Sequence, residues 1–164
     1  MAFVIREARS DERERVAQFH IPIHFQFSVR TPEQRKAQED DLETDYPHLC
    51  FDEIWNDTYT LIMETQQGQL IGIISLSKNK IQGDCYHKLY SFSICEEHRG
   101  TGLGRQLLEK IFEFAKQNDV KSIRLDTLDG WMDTAIALYE KNGFTKFSSF
   151  RSEHYLVWTM EKIF

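Results

Sequence analysis

The chain has little of what builds disulfide frameworks, collagen-like repeats or membrane spans. Its 164 residues include three cysteines, Cys50, Cys85 and Cys95, which are odd in number and far apart. No Cys-x-x-Cys occurs, so neither a disulfide scaffold nor a zinc site is indicated. Three Pro and eight Gly are too few for a collagen-like or Pro-rich disordered chain. No run approaches the roughly 20 apolar residues of a membrane span. Charges interrupt the N-terminus every few residues, so no signal peptide is expected. Together these absences predict a cytoplasmic protein with reduced thiols and no membrane partner. A basic excess is missing too. The net charge is −6, which speaks against a nucleic-acid partner, because phosphate backbones call for a positive footprint.

What is present is apolar area: 41% hydrophobic residues, with twelve Phe and three Trp. That suits a single domain over residues 1–164 with one sizeable core. The acidity is local. Residues 33–57 hold nine acids against Arg35 and Lys36, a window of −7, and the remainder sums to +1. Such a window is either a solvated helix face or a surface that selects a cation.

Periodicity gives the elements. Phe3 to Ala8 alternates apolar and polar residues as a strand does. Ser10, Asp11 and Glu12 supply an N-cap and first-turn carboxylates for a short helix reaching about His20. Residues 21–32, with Pro22 and Pro32, are expected as a loop or broken helix. Pro32 then opens a helix and Pro47 ends it. Thr58–Thr65 and Leu70–Ser77 form a hairpin around Gly68, and Tyr86–Ile94 a third long strand. From about Gly102 to Asn118, Leu103, Leu107, Leu108, Ile111, Phe112 and Ala115 share one helical face. Ser122–Thr127 is a strand, and Asp133 to Lys141 a helix stopped by Asn142-Gly143. Phe144–Phe150 and Tyr155–Met160 close the chain as a strand pair. This order predicts an α/β (α+β) fold: a mixed, mostly antiparallel sheet of six to seven strands with helices on both faces.

The chemistry concentrates in Ser93-Ile94-Cys95-Glu96-Glu97-His98-Arg99-Gly100-Thr101-Gly102-Leu103-Gly104-Arg105. A strand ends, a glycine-rich turn follows, and an amphipathic helix begins. The first N–H groups of a helix lack intrahelical partners, and the macrodipole makes them an anion site. Glycines let a ligand approach the backbone, and Arg99 and Arg105 add charge. A phosphate or pyrophosphate over residues 99–105 is the physical expectation. Neither the P-loop string nor the dinucleotide fingerprint Gly-x-Gly-x-x-Gly occurs here.

Arg99-Gly100-Thr101-Gly102-Leu103-Gly104 resembles the Gln/Arg-x-x-Gly-x-Gly/Ala signature of the GNAT superfamily of N-acetyltransferases. Downstream, Ala135-Ile136-Ala137-Leu138-Tyr139-Glu140-Lys141-Asn142-Gly143-Phe144 resembles that family's helix ending in Tyr-Glu-Lys-x-Gly-Phe. The two motifs stand in the family's order, and the element order matches over essentially the whole chain. The resemblance implies acetyl-CoA as acetyl donor, held in a notch between the splayed strands Tyr86–Ile94 and Ser122–Thr127. It places the pyrophosphate on Arg99, Gly100, Thr101, Gly102, Leu103, Gly104 and Arg105, and the pantetheine arm beside Ser93 and Ile94. It assigns Tyr139 as the acid that protonates the departing thiolate. From periodicity alone, Tyr139 reads first as a core aromatic, and the resemblance reverses that preference.

Two features depart from the family pattern. Met132 stands where many members carry Asn, with Asp133 next to it as a replacement. Lys88 stands where some members carry a glutamate base, which leaves Glu96, His87, Asp126 or a water chain to take the amine's proton. His20 and His24 are four apart, but Pro22 between them argues against a shared helix face and so against a metal site. No metal is expected. Phe25, Phe27, Trp55 and Trp131 are core or pocket residues, and the resemblance makes Phe25 and Phe27 candidate acceptor contacts besides their packing role. With no cysteine in either motif, direct transfer to a primary amine is expected. The acidic window favours a small cationic acceptor such as a polyamine, amino acid or amino sugar. A protein N-terminus or lysine, or a non-catalytic acyl-CoA sensor, are the alternatives. Members of the family often pair, and a homodimer is compatible with this chain.

Overall fold

The computed structural model describes residues 2–26, 31–33, 36, 40, 46–81, 86–130, 132–151 and 156–164. Strand β1 (Phe3–Glu7) leads through a one-turn 3-10 helix (Ser10–Glu12) into α1 (Arg13–Gln26). Then come α2 (Tyr46–Asn56), β2 (Thr58–Thr65), β3 (Leu70–Ser77) and β4 (His87–Ile94). A second 3-10 turn (Glu96–His98) precedes α3 (Leu103–Gln117), β5 (Ser122–Leu128), α4 (Asp133–Lys141), β6 (Thr145–Arg151) and β7 (Leu156–Ile163). The seven strands form one sheet in the order β1-β2-β3-β4-β5-β7-β6. Every neighbouring pair is antiparallel except β4 and β5. This is the mixed, mostly antiparallel sheet expected.

Alternation along β2 assigns the two faces. Leu61 and Met63 join the larger core cluster, with α3, α4, Phe144 and Met160. Ile62, between them, joins the smaller cluster with Val16, Ala17 and Ile21 of α1 and Phe51 of α2. Helices therefore cover both faces. The six apolar residues picked out on α3 are all buried. Gly143 (φ +89°) takes the left-handed conformation that ends α4, and the Gly143 and Phe144 amides bond back to Glu140 and Tyr139.

The prolines behave differently from expectation. α1 continues through Pro22 to Gln26. Pro22 gives up one helical N–H, but it sits on an exposed position while Val16, Ala17, His20 and Ile21 are buried against the sheet and α2. Tertiary burial outweighs that loss. Pro47 stands second in α2, in the first turn where an N–H would have no partner, so it opens a helix instead of closing one. The helix expected between Pro32 and Pro47 lies mostly outside the described residues, as do Phe27, Trp131, Cys85 and the side chains of Phe25 and Cys50. β7 extends to Ile163, beyond the expected Met160.

An ion-pair network ties β1, α1 and β2 together. Arg6 bonds both oxygens of Glu12 (2.8 and 2.7 Å) and Glu64 (2.8 Å), and Arg15 bonds the same two acids (2.8 Å each). The Glu12 carboxylate also accepts the Arg9 amide (2.9 Å). Glu12 is 4% exposed, and its bonds to Arg6 hold its carboxyl down to about 2. No helix among the described residues is long and apolar enough to cross a membrane.

Candidate active site

The site grows from the point where β4 and β5 part. They pair at only two positions, His87 with Ile123 and Lys88 with Arg124. From Leu89 to Ile94 no described strand covers that edge of β4. An open edge is a row of backbone donors and acceptors ready for another extended chain.

A bulge gives this edge its faces. Opposite β3, Ile73 pairs with Ser93 and Ser75 with Tyr90, so β4 carries one residue extra. Ser91 takes φ +48°, a left-handed conformation that a non-glycine residue adopts at a cost. The extra residue sets Tyr90 and Ser93 on the α1/α2 face although they are three apart. Phe92 and Ile94 pack with the larger cluster on the opposite face. Beyond the bulge, the Cys95 amide bonds Ile71 O of β3 (2.8 Å). Alternation then turns the backbone groups of Ile94 to the open edge. There Arg99 Nε donates to Ile94 O (3.0 Å), clamping the strand end to the turn that follows.

That turn is shaped for an anion. Gly100 (φ +72°) and Gly102 (φ +84°) are both left-handed. Gly102 is the N-cap of α3 and provides no side-chain cap, so the amides of Leu103, Gly104 and Arg105 have no bond partner among the described residues. Thr101 Oγ1 donates to His98 O (2.5 Å), which steadies the turn from within. At Gly104 a Cβ would make ordinary contacts, 3.4 Å from Phe92 and 3.5 Å from Leu138, so packing alone does not require a glycine there. Arg105 forms an exposed i,i+4 pair with Glu109 (2.8 Å), an interaction weak enough to exchange for a phosphate. Uncapped amides, left-handed glycines and an open strand edge together fit the pyrophosphate and pantetheine of a CoA ester.

Tyr139 lies on the α3/α4 face of this edge. It is 4% exposed, with its ring 6.1 Å from that of Phe92 and 5.7 Å from that of Phe144. Its hydroxyl has no hydrogen-bond partner among the described residues. Burial raises its pKa above the ordinary tyrosine value, so the phenol stays protonated and able to donate. Tyr139 is thus a core aromatic whose phenol keeps its proton.

The α1/α2 face holds what sequence reasoning missed. Because α1 runs through Pro22, His20 and His24 do share a helix face, with ring centroids 5.3 Å apart. His20 is buried, and its Nδ1 lies 2.7 Å from Ser93 Oγ, also buried. Burial, reinforced by His24, pushes the His20 pKa down to about 3, so the ring is neutral. The i,i+4 histidine spacing carries the signal, since one helix face would bring the two rings together. Gly72 was missed too, although an isolated glycine within a strand signals close packing. A Cβ there would meet Ile94 at 2.6 Å, Leu107 at 2.9 Å and Ser93 O at 3.1 Å.

The bases suggested by sequence are poorly placed. His87 is bound through Nδ1 to Ser77 O (2.8 Å) at the closed end of the notch, six residues or about 20 Å along the strand from Ser93. Asp126 is held by Lys88 (2.8 Å) and by Thr159 Oγ1 (2.8 Å). Burial works against the Lys88 charge, but the bond to Asp126 outweighs it and raises the Lys88 pKa. Glu96 is exposed on the 3-10 turn. Ligand atoms of Cys95, Glu97 and His98 do gather within 4.8 Å, with Cys95 Sγ 3.1 Å from His98 Nδ1. Burial, then Glu97, raises the Cys95 thiol's pKa, which makes it a poor nucleophile. Met132 is the N-cap of α4 and makes no side-chain cap bond.

A cleft of about 360 Å³ opens on the α1/α2 side between Ser77, at the closed end of the notch, and Tyr90. Glu53 and Asp57, the end of the acidic window, line it together with Lys80 and Tyr90. Glu33 and Asp40 are exposed, and Asp52 pairs with Arg13 (2.5 Å).

Comparison with known proteins agrees with this architecture. The model of the acetyltransferase (GNAT) family matches residues 24–144. The chain belongs to the GNAT acetyltransferase family. A PaiA N-acetyltransferase from Thermoplasma acidophilum, solved in complex with coenzyme A, has a TM-score of 0.76 at 19% identity and covers 100% of both chains. A GNAT-family acetyltransferase from Staphylococcus aureus Mu50 has a TM-score of 0.72 at 18% identity over 99% of both. At these identities the likeness is one of fold. Among curated proteins, the uncharacterized N-acetyltransferase YobR of Bacillus subtilis (strain 168) is 34% identical over 74 residues, 45% of this chain and 28% of that protein. A mouse protein described as probable N-acetyltransferase family 8 member 5 is 28% identical over 71 residues, 43% of this chain and 31% of that protein. The aligned stretch spans less than a third of either curated relative.

Proposed function

We propose that the chain is an acetyl-CoA-dependent N-acetyltransferase that moves the acetyl group directly to a primary amine of a small cationic molecule. The observation that carries this is the parting of β4 from β5 after two paired positions, with an uncapped helix N-terminus directly downstream. Acetyl-CoA would supply an activated acyl thioester. The amides of Leu103, Gly104 and Arg105 would hold its pyrophosphate, with Arg99, Gly100, Thr101 and Gly102 shaping that turn. The open edge at Ser93 and Ile94 would pair with its pantetheine arm, as a peptide adds to a sheet. The Ile94 amide on that edge is the donor placed to polarise the thioester carbonyl. Tyr139 would return a proton to the departing thiolate. Binding stays on one side of β4's open edge, and the amine enters from the α1/α2 face.

Support for a small cationic acceptor comes from the cleft beside Tyr90, where Glu53 and Asp57 outnumber Lys80. Release of free thiol from acetyl-CoA, followed across polyamines, amino acids, amino sugars and lysine or N-terminal peptides, tests the reading. Turnover fastest with a di- or polyamine supports it, and turnover fastest with peptides moves the acceptor to protein. Tight CoA binding with no thiol release from any amine makes the chain a sensor.

A further inference from the structure

The acceptor of an acetyl transfer reaches the protein as an ammonium and must lose a proton before it attacks. Tyr139 stands on the wrong face to take it. Of the groups suggested by sequence, His87 and Asp126 are held by other partners, and Glu96 stands exposed on the 3-10 turn beyond the end of β4. A different set of groups stands at the open end of the notch.

Ser93 is buried at the end of β4, with its side chain turned to the α1/α2 face. Its hydroxyl meets His20 Nδ1 at 2.7 Å. One helical turn on, the ring of His24 lies 5.3 Å from that of His20, on an exposed residue. Phe51 of α2 flanks His20 at 6.1 Å and is itself stacked on Trp55. The row therefore begins inside the notch and ends at solvent, with aromatic walls along its buried part. Resting on the acetyltransferase reading, we propose that Ser93, His20 and His24 form the path by which the acceptor's proton leaves the site.

The steps balance. The ammonium gives one proton to Ser93 Oγ as the Ser93 hydroxyl proton passes to His20 Nδ1. His20 releases its Nε2 proton to His24, and His24 releases a proton to solvent. The freed nitrogen lone pair forms the C–N bond as the C–S bond breaks, and the thiolate takes its proton from Tyr139 on the opposite face. The new amide nitrogen sheds its second proton along the same row, and the Tyr139 phenolate takes one back from solvent once the thiol leaves, so one proton is released per amide formed. The His20 ring returns to its starting tautomer by exchange through His24. His20 suits a conduit better than a store: held far below neutrality, it does not keep a proton. His24 is the titratable neighbour that acts on it. Ser93 and His20 also explain each other's burial, since each satisfies the other's polar atom.

The test compares wild type with His20→Ala, His20→Asn and Ser93→Ala on the best amine of the panel. Asn keeps a polar atom near the Nδ1 position, and with it a bond to Ser93, but it cannot pass a proton between two nitrogens. The expected result is a kcat about a hundredfold lower in all three. In the two His20 variants, CoA affinity by calorimetry and KM for acetyl-CoA stay within about twofold of wild type. Added imidazole restores kcat in His20→Ala and not in Ser93→Ala. Wild-type kcat in His20→Asn overturns the path and leaves His20 a packing residue. Should His20→Ala fail to fold, His20→Asn and Ser93→Ala decide alone. Wild type that binds CoA yet releases no thiol with any amine removes the acetyltransferase reading itself, and the path with it.

Discussion

Gly72→Ala places a single methyl group at the junction of sheet, helix and notch. In β3, Gly72 pairs with Ile94, the residue whose backbone faces the open edge. The new Cβ would stand 2.6 Å from Ile94 Cδ1, 2.9 Å from Leu107 Cδ1 and 3.1 Å from the backbone oxygen of Ser93. Leu107 is fully buried in the packed core, so it has little room to turn. Ile94 is only partly buried, so it gives way, and the end of β4 shifts with it. Over-packing of this kind costs about 1–3 kcal/mol, against a gain of about 0.5–1 kcal/mol for Ala over Gly in a strand. The net is a loss of about 1–2 kcal/mol, or roughly 3–8 °C in Tm for a chain of this size. CoA affinity should fall further than stability, about tenfold by calorimetry, because the displaced residues are those offered to the pantetheine arm. A Tm equal to or above wild type, with unchanged CoA affinity, would refute the reasoning.

Tyr139→Phe removes a hydroxyl with no described partner, so Tm should change by less than about 2 °C while kcat falls roughly tenfold to a hundredfold; unchanged kcat at every pH removes Tyr139 from the acid role. Glu12 is held at about 2 against an ordinary 4.5, so its ionised form contributes about 3 kcal/mol to stability above that ordinary value, lost as pH falls through the folded value. Urea unfolding should therefore show a difference between wild type and Glu12→Gln at pH 6 that narrows towards pH 2; a constant difference contradicts the network. Gly102→Ala puts a side chain into a left-handed N-cap with no atom within 4 Å of the new Cβ, so backbone strain of about 1–2 kcal/mol is the whole cost to folding. It should show in Tm and in CoA affinity alike. Replacing Glu53 and Asp57 by Gln and Asn should raise KM for a polyamine several-fold and leave KM for acetyl-CoA unchanged, as steady-state rates will show.

Most of the frame was legible in the chain. Period-2 and period-3.6 patterns located β1, α3 and α4 to within a residue or two, and β-branched runs on either side of a glycine loop located β2 and β3, which are buried on both faces. The glycine turn and the Tyr139 helix were legible because left-handed glycines and helix termini carry local signatures. What was not legible depends on tertiary packing. Pro22 and Pro47 are helix breakers by local rule, yet one lies on an exposed position of a helix otherwise buried on the sheet and the other in a first turn. The bulge at Ser91 arises from pairing between strands, and nothing in Tyr90-Ser91-Phe92 announces it. The His20–Ser93 bond spans 73 residues and exists only once α1 lies across β4.

The central claim is that the gap between β4 and β5, with the turn below it, receives acetyl-CoA. Titrating acetyl-CoA into ¹⁵N-labelled protein tests it most directly. The largest amide shifts should fall on Ile94, Gly102, Leu103, Gly104 and Arg105, with β1 and the Glu12 network unmoved. Saturable shifts centred anywhere else, with those five amides unchanged, would contradict the account.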